Sequence, residues 1–119
     1  MNLSALATNL GLEEDEFFEL VDLFVETATS DMTKLESAIS HGAIEQTVEA
    51  AHSIKGAAGN LGFQDIYGLA KQVETNARQH ILEGSLQAAQ SMKGKLSGVA
   101  DVLKAKQMTS VRETIGEDD

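Results

Sequence analysis

The absence of proline constrains this fold more than any other feature of the sequence, because proline is the residue that most strongly interrupts helices. None of the 119 residues is proline, and the helix-favouring residues alanine, leucine, glutamate, lysine and glutamine are abundant. The sequence therefore predicts an all-α fold. Its apolar fraction of 42% is enough for one modest hydrophobic core, so we expect a single domain.

Four segments carry apolar residues at steps of three and four, which is the spacing of core-facing helices. The predicted inward positions are Phe17, Leu20, Val21, Phe24, Ala28, Met32, Leu35 and Ile39 in segment 13–40; Ile44, Val48, Ala51, Ile54, Ala58 and Leu61 in 43–61; Ile66, Leu69, Ala70, Val73 and Ala77 in 64–81; and Leu86, Ala89, Met92, Leu96, Val99 and Leu103 in 85–107. Short connections between these segments favour antiparallel neighbours. The pattern predicts an antiparallel up-down four-helix bundle.

The two ends of the chain are predicted to add little to this bundle. A short leading helix at 2–9 is expected to cover one end, which completes a bundle domain over residues 1–108. The polar segment 109–119 lacks a periodic apolar face, and we expect it to be a fraying C-terminal tail. A bundle closed in this way is expected to be a monomer.

Charge and composition exclude several classes of partner. The formal net charge of −10 repels nucleic-acid phosphates and anionic membrane surfaces, so neither is expected to bind. The chain contains no cysteine, which removes disulfides and thiolate zinc sites and suits a reducing compartment. With no signal-peptide pattern at the N-terminus and no apolar stretch of bilayer length, the expected location is the cytoplasm.

His52 is predicted to face solvent, because it lies roughly 120° from the centre of the apolar stripe of its helix at about 100° per residue. Gly56 follows one turn later on nearly the same bearing, and Gly59 two turns later. A glycine inside a helix costs roughly 1 kcal/mol relative to alanine, so this placement needs a reason. Bare backbone would let another protein approach the imidazole; the alternative is that the glycines relieve helix packing.

Lys55 follows His52 by three residues, so its ammonium can reach the space beside the imidazole. A neutral imidazole nitrogen is nucleophilic. Phosphoryl transfer mainly requires the protein to position the reacting groups and to stabilise their charge. The pair is therefore sufficient for a phosphoryl carrier but not for an enzyme. No nucleotide-binding motif accompanies it, so autophosphorylation from ATP is not expected.

The run AHSIKGAAGNLGF, residues 51–63, resembles the signature of histidine-containing phosphotransfer (HPt) domains. That signature is a histidine, a lysine three positions on, a glycine four on, small residues next and a closing glycine ten on. It is matched by His52, Lys55, Gly56, Ala57, Ala58 and Gly62, with Ala58 standing where many members have serine. Leu69, Val73 and Glu74 look like the helix that follows in the family, and the resemblance covers about residues 13–106.

The resemblance implies a non-enzymatic carrier in a two-component phosphorelay. His52 would accept a phosphoryl group from the aspartate of one receiver domain and pass it to another. Lys55 would steady the phosphate, Gly56 and Gly59 would leave the docking partner room, and Gly62 would end the helix in a left-handed cap. The implied partners are response-regulator receiver domains and a hybrid sensor histidine kinase. The Mg²⁺ ion would belong to the receiver, with no cofactor or metal bound by this chain.

Alternatives to this interpretation use the same residues. A bundle on this scaffold could bind or sequester receivers without transferring phosphate. Glu49 and His52 also match the pattern Glu-x-x-His, which supplies di-iron ligands in some helical bundles. Such a site needs a second copy of the motif and ligands that face inward. His41 and His80 lie near predicted helix C-termini, where an imidazolium interacts favourably with the helix dipole, so a structural role is expected for both.

Overall fold

The computed structural model describes the backbone of residues 2–117 and the side chains of residues 2–108. The helices are α1 (Leu3–Asn9), α2 (Glu14–Ser40), α3 (Ile44–Leu61), α4 (Gln64–Arg78) and α5 (Ser85–Glu117). Helix α3 packs between α2 and α4, α5 packs against α2 and α4, and α1 contacts α2. No strand occurs in the described backbone. The predicted all-α four-helix bundle with a short N-terminal helix is confirmed.

The core of the bundle is formed by most of the positions that the apolar spacing predicts. Fully buried members include Phe17, Val21 and Leu35 of α2, Ala51 and Ala58 of α3, Ala70 of α4, and Ala89 and Val99 of α5. Leu20 and Leu86 were predicted to point inward, and both predictions are wrong, because each side chain is 43% exposed. Four packed helices cover a narrower stripe of each helix than the apolar spacing suggests, and these leucines lie outside it.

A glycine in the left-handed backbone conformation joins α3 to α4. Gly62 is the C-cap of α3 with φ of 85°, the conformation that its place after the last apolar position predicts. The Phe63 N–H donates to the Ala58 carbonyl at 2.9 Å, and the buried Phe63 side chain precedes α4. This connection fixes the rotation of α4 relative to α3, and it thereby decides which α4 side chains lie under the exposed face of α3.

Helix α5 continues to Glu117, so the predicted helix end near residue 107 is wrong. No proline follows residue 107, and lysine, alanine and glutamine on either side of that point favour a helix, so nothing in the backbone stops it there. The side chains of 109–117 and all of residues 118–119 lie outside the described part of the chain, which leaves the fraying of the tail a prediction. Within the described residues, no helix combines the length and apolar character needed to cross a membrane.

Candidate functional site

His52 lies in the middle of α3, on the face turned away from the core. Its side chain is 62% exposed, whereas its neighbours Ala51 and Ile54 are buried. The helical wheel prediction of a solvent-facing imidazole is therefore confirmed. A partner can therefore contact this ring from the solvent side of α3.

A buried carboxylate from the neighbouring helix lies beside the imidazole. Glu74 of α4 is only 5% exposed, and its Oε2 is 3.1 Å from Nδ1 of His52. A carboxylate can only accept hydrogen bonds, so this contact requires the proton to be on Nδ1. In the neutral imidazole, the other ring nitrogen, Nε2, then keeps its lone pair. The arrangement selects one tautomer of an exposed histidine.

Two cations complete the network around Glu74. The Lys55 ammonium is 2.8 Å from Oε1, and the Arg78 guanidinium donates to Oε2 from Nη2 at 2.7 Å and from Nε at 3.2 Å. Among the described residues, Oε2 therefore contacts both His52 and Arg78, whereas Oε1 contacts Lys55.

The charge state of Glu74 follows from these contacts. Burial by itself would raise the pKa of the carboxyl, but Lys55, then Arg78 and His52 outweigh burial and lower the pKa from 4.5 to about 2. Glu74 is consequently an anion at any physiological pH. It can accept a hydrogen bond from the Nδ1–H of His52 throughout that range.

Gly56 and Gly59 have different surroundings although both follow His52 on α3. A Cβ added at Gly56 would meet no heavy atom within 4 Å, so the space above this turn is open. At Gly59 the same atom would lie 3.1 Å from Cδ2 of Tyr67, which packs over the bare backbone from α4. The contact with Tyr67 favours the packing alternative at Gly59, whereas the space at Gly56 matches the predicted clearance.

The remaining histidines lie outside this cluster. His41 is the C-cap of α2, where its Nδ1 is 2.8 Å from the Ser37 carbonyl oxygen, and His80 follows the end of α4 with φ of 63°. Both lie at helix C-terminal ends, as predicted. Among the described residues, no group of three histidine, cysteine or acidic side chains is arranged to hold a metal ion. The carboxylate that contacts His52 is Glu74 rather than Glu49.

Comparison with known proteins assigns the family. The model of the Hpt domain matches residues 19–109, which is most of the chain. The chain belongs to the Hpt domain family. This Hpt domain also matches the crystal structure of histidine-containing phosphotransfer protein B (HptB) from Pseudomonas aeruginosa PAO1 with a TM-score of 0.78 and 27% sequence identity. That match covers 87% of this chain and 90% of HptB. The search of curated proteins found no match.

The family and the HptB likeness support histidine phosphotransfer in phosphorelay signalling for this Hpt domain.

Glu74 was identified from the sequence only as part of a helix that resembles the one following the histidine helix in the family, and Arg78 was not identified. A signal for both exists in the sequence. Glu74 lies directly after Val73 at the edge of the apolar stripe of α4, and Arg78 follows Glu74 at the i+4 spacing that pairs opposite charges.

Proposed function

We propose that His52 of this Hpt domain is the phosphoacceptor of a phosphorelay, taking a phosphoryl group from the aspartyl phosphate of one receiver domain and passing it to another. The observation that carries this proposal is the pairing of an exposed imidazole with a buried carboxylate. The Nδ1 to Oε2 contact of 3.1 Å directs the lone pair on Nε2 to solvent, where a partner can reach it.

In the proposed reaction, the Nε2 lone pair attacks the phosphorus of the aspartyl phosphate. The bond from phosphorus to the aspartyl oxygen breaks, and the receiver recovers its carboxylate with that electron pair. Because Nδ1 keeps its proton, the phosphorylated ring is a cation, and the Glu74 carboxylate stabilises that charge at 3.1 Å. For onward transfer an aspartate oxygen of the second receiver bonds to phosphorus, the bond from Nε2 to phosphorus breaks, and its electron pair returns to the ring.

Lys55 and Gly56 are assigned supporting roles. The Lys55 side chain is 24% exposed, and its ammonium, three residues from His52, is placed to neutralise phosphoryl oxygens. Gly56 leaves open space one turn from the imidazole, so a receiver's phosphorylated aspartate can approach without meeting a side chain. Gly62 contributes only by ending α3 and setting the position of α4.

The partners that fit this chemistry are response-regulator receivers and the receiver of a hybrid sensor histidine kinase. The Mg²⁺ ion that assists transfer is assigned to the receiver, and the Hpt domain serves as a carrier that does not draw on ATP. A monomer in the cytoplasm suits a carrier that must exchange receivers. The alternative is a module that binds receivers without exchanging phosphate, and phosphate turnover at His52 separates the two.

Incubation with candidate phosphorylated receivers tests the proposal. Radiolabel is expected to enter the native protein and to be lost in acid but retained in alkali, as for a phosphoramidate. His52→Gln should fold normally, because its side chain is exposed, and should take up no label. His41→Gln is the matched control and should label like the native protein. Label in His52→Gln, or binding of receivers without any label in the native protein, would contradict the proposal.

A further inference from the structure

Glu74 is neutralised by more positive charge than one carboxylate needs. Its Oε1 contacts Lys55 at 2.8 Å, and its Oε2 accepts both hydrogen bonds of Arg78. The second positive charge is compensated at this site only when further negative charge arrives. The proposed reaction brings that charge, because a phosphoryl group carries about two negative charges at neutral pH.

The charges of the phosphorylated site balance only when both Lys55 and Arg78 are counted beside the imidazolium. In the phosphorylated state, the phosphoryl group and Glu74 supply the negative charges. The imidazolium, the Lys55 ammonium and the Arg78 guanidinium supply an equal positive charge. Without Arg78, the imidazolium and Lys55 would supply one positive charge fewer than the phosphoryl group and the buried Glu74 carboxylate require.

We infer that Arg78 is a positioning residue, which holds the Glu74 carboxylate against His52 so that Lys55 can leave Oε1 and bind the incoming phosphoryl group. This inference rests on the proposed phosphoacceptor role of His52. The transfer step itself is unchanged. Nε2 bonds to phosphorus, and the donor's leaving group departs with its electron pair. Nδ1 keeps its proton and its hydrogen bond to Glu74.

The geometry decides which of the two cations leaves. Arg78 donates twice to Oε2, the same oxygen that accepts from His52, so its departure would disturb the hydrogen bond that fixes the tautomer. Lys55 contacts the other oxygen, and it follows His52 by three residues on the same helix. Its flexible side chain can exchange Oε1 for a phosphoryl oxygen while Oε2 stays in place.

Arg78 is also what permits Lys55 to leave. Without Arg78, the departure of Lys55 would leave the imidazolium of His52 as the one remaining cation beside the buried carboxylate among the described residues, and weakening the pairing of a buried charge is unfavourable. If Arg78 were absent, Lys55 would stay paired with Glu74 and would not be available to bind the phosphoryl group. Arg78 thus acts through Glu74 and needs no contact with the phosphoryl group.

Phosphoramidate, a small donor that needs no docking surface, provides the test. Ammonia leaves as Nε2 bonds to phosphorus, and the rate of phosphohistidine formation is measured by ³¹P NMR. Arg78→Ala is expected to slow this rate roughly tenfold, the factor for losing a charge-assisted hydrogen bond at a partly exposed position. Arg78→Lys should recover part of the rate. In a Glu74→Gln background the same Arg78→Ala change should have less than about a twofold effect, because no carboxylate then holds Lys55.

A spectroscopic signature accompanies the rates. The ¹⁵N resonance of the Lys55 ammonium, identified by its absence in Lys55→Ala, should shift on phosphorylation of the native protein and stay unchanged in Arg78→Ala. Lys93→Ala, which breaks the 3.6 Å pair between Lys93 of α5 and Glu36 of α2, is the matched control and should keep the native rate and the native Lys55 shift.

Each result bears on the inference. A native rate in Arg78→Ala, an equal slowing by Arg78→Ala in the Glu74→Gln background, or an unchanged Lys55 resonance in the phosphorylated native protein would overturn the exchange. In those cases the native protein is still phosphorylated, so the phosphoacceptor proposal survives. If neither phosphoramidate nor a receiver phosphorylates the native protein at His52, the phosphoacceptor proposal fails and this inference fails with it.

Discussion

The outer face of α3 and the outer face of α5 carry similar residues in different settings. Each has an exposed glycine with open space above it, Gly56 on α3 and Gly94 on α5, and each has a lysine paired with a glutamate. The side chain of Glu74 is 6% exposed beside α3, whereas that of Glu36 beside α5 is 32% exposed. The buried carboxylate, rather than the pairing of charges, therefore distinguishes a candidate site from a solvated surface.

Acid unfolding should separate the two faces most strongly. Glu74 has a folded pKa of about 2 against 4.5 for an unperturbed group, so its stabilisation is complete above about pH 4.5 and is lost as the pH falls toward 2. The linked free energy of unfolding is about 3 kcal/mol. Urea unfolding at pH 6 and pH 2.5 should show the difference between the native protein and Glu74→Gln shrinking in acid. A difference that is constant with pH would contradict the lowered pKa.

Neutralising each carboxylate at neutral pH gives the next largest effect. Glu74→Gln should lower the free energy of unfolding by about 2 kcal/mol, because a buried acceptor loses its ion pair and its charge-assisted bonds. Glu36→Gln should lower it by no more than about 0.5 kcal/mol, since exposed pairs contribute little. Denaturant titration of both variants measures this, and equal losses would remove the distinction between the faces.

Added bulk should affect transfer on one face only. Gly56→Arg is expected to slow transfer from a phosphorylated receiver by roughly tenfold, equivalent to about 1.4 kcal/mol, by filling the space beside His52. Phosphorylation by phosphoramidate should be much less affected, because that donor needs little room. Gly94→Arg is the control on α5. Equal rates for both variants with the receiver would show that clearance at Gly56 has no role.

The smallest effects concern alanine at the glycines. Gly56→Ala and Gly94→Ala should each stabilise the fold by about 0.5 to 1 kcal/mol, because alanine favours helix and the added methyl meets nothing within 4 Å. Gly59→Ala should gain less or lose stability, since its Cβ would lie 3.1 Å from Tyr67. Thermal unfolding ranks the three. A gain at Gly59 equal to that at Gly56 would show that Tyr67 moves aside freely.

The exposed imidazole and the bundle were predictable, since both depend on periodicity along single helices. The bearing of His52 relative to Ala51 and Ala58 needs only the helix repeat, and the run of residues 51–63 resembles a known signature. Leu20 and Leu86 were misplaced because periodicity gives the direction of a side chain but not how wide a stripe the neighbouring helices cover.

The role of Glu74 was not predictable from periodicity, because it depends on two helices at once. A glutamate at the edge of an apolar stripe is ordinarily solvated, and only the packing of α3 on α4 makes this one buried. Likewise, Gly56 and Gly59 share a face of α3 but differ in whether a ring from α4 lies above them. Both features depend on contacts between two helices, which the periodicity of a single helix does not describe.

The position of Glu74 along α4 has a consequence for how such a protein can vary. His52 and Glu74 are 22 positions apart, and their contact depends on where Glu74 lies relative to the apolar face of α4. One residue inserted within α4 between Gln64 and Glu74 would turn Glu74 by about 100° relative to the apolar residues that follow it and carry it away from the imidazole. The spacing between Glu74 and the apolar face of α4 is thus as much a determinant of this site as any side chain, and designers who change it would expect a folded protein with an unsupported histidine.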